Sequence, residues 1–417
     1  MKQICCLFLL LGSFSLTSGQ ALLQGKPAEN GMSPERLGRI DQLINDQMSK
    51  KWIPGAVVLI ARNGKIVYHK AYGFSDAEKQ TAMKKDDIFR IASQSKAITS
   101  LAVMMLFEEG KFMLDDPISN YIPEFKNPKV LNVLNWADTS YTTVPAKSEV
   151  TIRQLLTHTS GIDYAAIGSQ EFKAIYAKAG VPVGIGAVAD VLADKMKLLG
   201  GMPLKHQPGE AFTYGLNTDV LGYLVEVASG VSLDQFLRTR IFAPLGMNDT
   251  YFYLPKDKHN RLVPMYRIRN NTLEKAADAI GGVSNYPLMD GKYFSGGAGL
   301  SSTIEDYAKF LQLFLNKGEY NGVRLLSRKT IELMLTNQTQ ASITTQFGLG
   351  FALETEKNDF QSVFSLGSFS WGGAFATQYW ADPKEKLLGI IYTNMFSSPN
   401  HSRSDKFKVL TYQSIID

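Results

Sequence analysis

Ser93-Gln94-Ser95-Lys96 is the single Ser-x-x-Lys in the chain. It opens an apolar helical pattern containing Ala97, Ile98, Leu101, Ala102 and Met105, predicted to run from 93 to about 109 and stop at Gly110. Residues three apart on a helix share a face, so the hydroxyl and the amine can touch. A serine hydroxyl is a poor nucleophile at neutral pH and needs such a neighbour. The partial positive charge of a helix N-terminus disfavours an ammonium, which suits Lys96 to act as a base. The free N–H groups there point to where an oxyanion would form. The chemistry implied is acyl transfer through a serine ester. The same four residues also fit an N-cap serine followed by a solvated lysine.

Rival chemistries have less support. No Gly-x-Ser-x-Gly occurs, which argues against a nucleophile on a strand-to-helix elbow. The histidines at 69, 158, 206, 259 and 401 form neither His-Glu-x-x-His nor a close pair, so a zinc hydrolase is disfavoured. No metal or organic cofactor is required. His158, beside Thr159-Ser160-Gly161, does not read as the base of a nucleophile–base pair, because sequence neighbours rarely face each other.

The elements that must position these residues follow from pattern. Residues 33–50 read as a helix, with Ser33 as N-cap, Pro34 in the first turn and Leu37, Ile40, Leu43 and Ile44 on one face. Residues 55–61 and 65–72 read as strands joined by Asn63-Gly64, a strong hairpin signal. Further strands are expected at 349–354, 374–380 and 386–393, and a closing helix at about 404–416. The middle reads as mainly helical, with loops at 163–181 and 254–294. One antiparallel sheet assembled from both ends of the chain, with helices on its faces, accommodates this order.

Lys2, the apolar run 4–11 and the small residues Thr17-Ser18-Gly19 read as a secretory signal peptide over residues 1–19. The run is too short for a bilayer span, and no later segment qualifies, so no stable membrane anchor is expected. Cys5 and Cys6, the chain's 2 cysteines, both precede that cleavage point, which leaves no disulfide or thiolate afterwards. The 417 residues carry 45% hydrophobic and 20% charged side chains, a globular composition. A net charge of +5 from scattered charges gives no case for a nucleic-acid partner. The expected organisation is one catalytic domain over 20–417, with its sheet from about 50–75 and 347–395 and its helical region at about 93–340. The expected location is periplasmic or secreted.

Phe89-Arg90-Ile91-Ala92-Ser93-Gln94-Ser95-Lys96 resembles the first motif of the serine β-lactamase and penicillin-binding superfamily, in the branch of class C β-lactamases, D-aminopeptidases, D,D-carboxypeptidases and esterases. Leu114-Asp115-Asp116-Pro117, the block Thr151 to Gly161, Pro208-Gly209-Glu210, Pro244-Leu245-Gly246-Met247 and Gly296-Gly297-Ala298-Gly299-Leu300 are similar to other family blocks, in the same order over roughly 35–395. The resemblance implies an α/β plus all-α fold of the β-lactamase/D,D-peptidase type, an antiparallel sheet flanked by helices with an inserted helical subdomain.

It also implies site residues. Tyr214 matches the catalytic tyrosine of the family's Tyr-x-Asn motif. Leu216 replaces the usual asparagine, and the adjacent Asn217 is carried as a possible substrate-binding residue. Trp371-Gly372-Gly373-Ala374 occupies the slot of the third motif, on a strand lining the site. By position, Ala374 N–H would join Ser93 N–H as oxyanion donor, with Gly372 and Gly373 letting substrate approach the backbone. Trp371 stands where a cation would hold a carboxylate, and it offers an apolar wall and one N–H instead. The expected function is an exported serine hydrolase acting through an acyl-enzyme on Ser93, most of all a carboxylesterase with a small ester or peptide-like substrate. The alternatives are a D-aminopeptidase, D,D-carboxypeptidase or weak β-lactamase, and a non-hydrolysing penicillin-binding-like protein.

Overall fold

The computed structural model describes residues 22–279, 282–396 and 403–417. The expected signal segment 1–19, with Cys5 and Cys6, lies outside them.

The hairpin forms where expected: Gly55–Arg62 pairs antiparallel with Lys65–Asp76. Asn63 and Gly64 both take left-handed φ, 53° and 71°, as a tight two-residue hairpin turn requires. Among the described residues the main sheet has 8 strands. Its spatial order is Leu23–Gln24, Lys65–Asp76, Gly55–Arg62, Leu387–Tyr392, Thr377–Asp382, Phe369–Gly373 and Ala352–Leu353, with Thr81–Ala82 attached to the long second strand. Both ends of the chain therefore supply the sheet. One expectation is corrected: Leu23–Gln24 runs parallel to Lys65–Asp76, so the sheet is mixed.

Gly55–Arg62 is buried along its whole length because both its faces are covered. Val57, Leu59 and Ala61 join the larger core, while Ala56, Val58 and Ile60 join the smaller one. That split is the period of two of a strand. The smaller core is closed by the helices Pro34–Ser49 and Arg403–Tyr412, through Leu37, Ile40, Ile44 and Phe407. Ser33 caps the first of these, its Oγ accepting from Arg36 N–H at 3.2 Å. On the other face lies Ile304–Leu315, and the helix Ser95–Glu108 packs against Asn217–Ser229. Ser95–Glu108 is buried from Ser95 through Leu106, so it has no solvent face to mark it as amphipathic.

Other expectations shift. The stretch 163–181 holds a helix, Gln170–Ala179, closed by Gly180 at φ 74°. The stretch 254–294 carries the hairpin Tyr266–Arg269 with Thr272–Lys275. A further hairpin, Lys129–Asn135 with Ser140–Pro145, interrupts the helical middle. The strand expected at 374–380 starts at Thr377, because 374–376 is the turn joining it to Phe369–Gly373. The strand expected at 349–354 shortens to Ala352–Leu353.

Gly389 faces Trp380 across the sheet, and a Cβ there would lie 2.3 Å from the indole. Trp380 belongs to the smaller core, away from Ser93. Gly389→Ala should therefore cost about 1–3 kcal/mol through overpacking. Calorimetry should show Tm several degrees lower with kcat per folded molecule unchanged, whereas an unshifted Tm would mean that the indole has room to move.

Candidate active site

The segment before Ser93 is fixed from both sides. Phe89–Arg90 pairs with Ser301–Ser302, and Ile91 N–H donates to Leu300 C=O at 3.0 Å. Ala92 then takes φ 44°, the left-handed region that L-residues rarely enter. This sharp reversal leads into a 3₁₀ turn, Ala92–Gln94, followed by the helix Ser95–Glu108. Ser93 sits in that turn, two residues before the α-helix proper. Surrounding bonds hold the turn. Ser95 Oγ donates to Ala92 C=O at 2.7 Å and accepts from Leu300 N–H at 3.1 Å. Tyr307 Oη donates to Gln94 C=O, and Tyr392 Oη to Gln94 Oε1. Between Asp87 and Leu106 every residue is buried except Ser93. The fold thus presents one hydroxyl to solvent from an otherwise sealed segment.

Lys96 points inward and is 2% exposed. Its Nζ donates to Gly297 C=O at 2.7 Å and Tyr164 Oη at 2.8 Å, and lies 3.5 Å from Ser93 Oγ. It also stands 4.5 Å from the centre of the Tyr214 ring. Serine and lysine are therefore together, as their spacing predicts.

Tyr214 comes from the turn before Asn217–Ser229, and its ring lies 5.4 Å from Tyr164 and 5.5 Å from Trp371. Trp371 Nε1 donates to Tyr214 Oη at 3.3 Å. Phe347 packs edge-on to Trp371 at 5.3 Å and completes an aromatic wall. The strand Phe369–Gly373 reaches the Ser93 turn closely. A Cβ on Gly373 would meet Ile91 C=O at 2.3 Å, so only glycine lets the two backbones approach this near. At Gly372 a Cβ would meet the Gln378 amide. Ala374 follows, exposed, at the start of the turn.

Tyr164 was not singled out from sequence. It lies three residues beyond Gly161, in a segment read as loop, and only the Thr151–Gly161 motif nearby hinted at the site. Burial holds its phenol well above the ordinary 10.0, and the neighbouring Tyr214, Asp219 and a hydrogen bond with Tyr214 push the same way. It therefore stays a neutral phenol beside the amine.

Asn217 requires a correction. It is fully buried, and its carboxamide is spent inside the protein. Oδ1 accepts from Ser160 Oγ, and Nδ2 donates to His158 Nδ1 at 3.0 Å. It ties the His158–Tyr164 segment to the helix and has no atom left for substrate. His158, at φ 57°, is ringed by Phe212, Tyr214 and Phe347. Burial, and then the Lys96 charge, hold its imidazole well below 6.5. It is a neutral packing partner of Tyr214, as expected of a structural residue. Among the described residues no group of three His, Cys, Asp or Glu is placed to hold a metal.

The sequence model of the beta-lactamase family matches residues 40–413, and the chain belongs to that family. It is 33% identical over 355 residues to Protein Rv1367c of Mycobacterium tuberculosis, covering 82% of this chain and 85% of that one. It is 28% identical to Esterase EstB of Burkholderia gladioli, covering 85% of this chain and 90% of that one. A putative D-alanyl-D-alanine carboxypeptidase of Escherichia coli K12 is 26% identical, covering 100% and 98%. Among solved structures, EstCE1, described as a hydrolase with promiscuous acyltransferase activity, superposes with a TM-score of 0.79 at 26% identity over 91% of this chain and 99% of that one. Simvastatin synthase LovD of Aspergillus terreus shares the fold, with a TM-score of 0.77 at 23% identity over 91% and 98%. The protein is a serine hydrolase of the beta-lactamase family, related to esterases and penicillin-binding-like proteins.

The half-buried His69 and the buried His158 give a pH signature. Burial, helped by the Lys85 charge, lowers His69 to about 4, and His158 is lowered likewise. Once unfolded, both regain about 6.5. The unfolded chain therefore binds more protons below pH 6.5, and stability must fall as pH drops from there toward 4. The slope approaches about 1.4 kcal/mol per pH unit for each histidine. Denaturant melts between pH 7 and 5.5 should show this decline, and His69→Gln should flatten it; an equal slope in the variant would contradict the assignment.

Proposed function

We propose that the protein is an exported carboxylesterase that works through an acyl-enzyme on Ser93. The observation that carries this is the buried Lys96 amine within reach of the one accessible hydroxyl of its segment. As a free base the amine has two N–H donors and one lone pair. Gly297 C=O and Tyr164 Oη take the donors, which leaves the lone pair for the Ser93 proton. Ser93 Oγ then attacks the ester carbonyl. The N–H of Ser93, unpaired because it lies in the first turn of a helix, and that of Ala374, on the adjoining backbone, hold the oxyanion. Tyr214 accepts a hydrogen bond from Trp371, which leaves its own proton free for the departing alkoxide. Water then cleaves the acyl-enzyme: it gives a proton to the Tyr214 phenolate as it attacks, and Lys96 returns its proton to Ser93 Oγ as the acid departs. None of these steps uses a cofactor.

Trp371 supports the choice of esters. With Tyr214 and Phe347 it forms an apolar wall, and its N–H is already engaged. A substrate carboxylate finds no charge partner there. The similarity to Esterase EstB and EstCE1 supports the same reading. Export to a periplasm or the medium rests on residues 1–19. N-terminal sequencing of the exported protein should begin at Gln20, and retention of Met1 would overturn this part.

A panel of nitrophenyl esters, a chromogenic cephalosporin and D-alanyl peptides tests the activity. Esters should turn over fastest, and Ser93→Ala should lose at least about a thousandfold in kcat/KM. Trp371→Lys should move preference toward carboxylate-bearing substrates. Ester turnover that survives Ser93→Ala would defeat the mechanism. D-alanyl peptides as the best substrates would favour the carboxypeptidase reading.

A further inference from the structure

Near Lys96, across Gly297, lies a carboxyl group that the steps above do not use. Asp219, in the helix Asn217–Ser229, is 1% exposed. Its Oδ1 accepts from Tyr293 Oη at 3.3 Å. Its Oδ2 makes no hydrogen bond of normal geometry and faces the backbone of Gly297. The space a Cβ on Gly297 would fill lies 2.4 Å from that oxygen and 3.5 Å from Lys96 Nζ. Carboxyl and amine are thus separated by a single residue without a side chain.

The groups around this pair are neutral. Burial raises the Tyr164 and Tyr293 phenols well above 10.0, the charge of Asp219 adding to both, and His158 is held uncharged. Tyr214 offers its ring to the amine, and Asp190 acts on Tyr293 from farther off. Asp190 is paired with Lys195 at 3.2 Å, so beside the amine only Lys96 can supply a cation and only Asp219 an unpaired anion. Burial raises the Asp219 carboxyl, while the Ser295 hydroxyl, Lys96, Tyr293 and the Gly297 N–H oppose that rise. A buried anion is costly unless a cation balances it, and the ammonium that forms on Lys96 is the cation at hand.

We propose that Asp219 is an electrostatic positioning residue that stabilises the ammonium formed on Lys96 during acylation. This rests on the acyl-enzyme reading above. As the bond from Ser93 Oγ to the acyl carbon forms, the Oγ–H bond breaks and its proton passes to Lys96 Nζ. The carbonyl π pair moves onto the oxyanion. The new positive charge arises in a pocket sealed from water, where a fixed anion across Gly297 acts strongly. Asp219 itself takes no part in the proton transfer. Serine, amine and carboxylate then form a relay in which the base is supported by a third group.

The test is Asp219→Asn, which keeps the shape and removes the charge. The first readout is the rate of covalent labelling of Ser93 by a fluorophosphonate; the second is the pH profile of nitrophenyl ester hydrolysis. Labelling and the alkaline plateau of kcat should fall about 10- to 100-fold, with KM changed less than twofold. An adjacent anion favours the protonated form of a base, so its removal should move the acid limb of kcat/KM to lower pH. Asp219→Glu, which retains the charge, should keep the limb near its wild-type position and provides the readout if the asparagine variant does not fold. A limb that stays put in Asp219→Asn, or that moves equally in Asp219→Glu, would overturn the inference. Failure of wild type to label at Ser93 would instead remove the acyl-enzyme reading itself.

Discussion

The structure depends on hiding one amine from water. Lys96 Nζ is held by a backbone carbonyl and a phenol, with an aromatic face below it and the Ser93 hydroxyl at its open side. In water an amine is solvated and indifferent to a neighbouring alcohol. Here its hydrogen bonds are assigned in advance, so little reorganisation is left for the moment of reaction. Burying it takes partners from four separate stretches: Gly297, Tyr164, Tyr214 and the Ser93 turn itself.

The rest of the fold supplies those partners at the right distance. The central helix Ser95–Glu108 is enclosed on all sides, which fixes the axis along which Ser93 and Lys96 project. The sheet brings the Trp371 strand, from the C-terminal part of the chain, against the Ser93 turn, and Gly373 permits the close approach. The left-handed Ala92 turns the hydroxyl outward from an otherwise buried run. That conformation is unfavourable for alanine and persists because hydrogen bonds through Ile91, Gln94 and Ser95 over-determine it. Asn217 and His158 serve the same end from the opposite side, pinning the segment that carries Tyr164 and packing against Tyr214.

Much of this was legible in the sequence. Ser93 and Lys96 declare themselves because one helical turn links them, and Asn63-Gly64 declares its hairpin because few other pairs accept two left-handed residues. What escaped was set by tertiary contact. Tyr164 lies 68 residues from Lys96, and nothing local marks a loop phenol as the partner of an amine. Asp219 looks like an ordinary polar residue early in a helix until its burial is seen. Asn217 misled because it adjoins the expected asparagine position, and one residue along the chain carries its amide into the interior. The turn at 374–376 was merged with the strand after it because Ala374 and Phe375 read as strand residues when pairing partners are unknown.

The central claim is that Lys96 makes the Ser93 hydroxyl reactive. Rapid quenching of the enzyme with a nitrophenyl ester, followed by peptide mass analysis, addresses it directly. The account predicts a single acyl adduct on Ser93 within the first turnover in wild type, and none on that time scale in Lys96→Met, which keeps the bulk without the amine. An adduct on another residue, or equal acylation of Ser93 without Lys96, would contradict it.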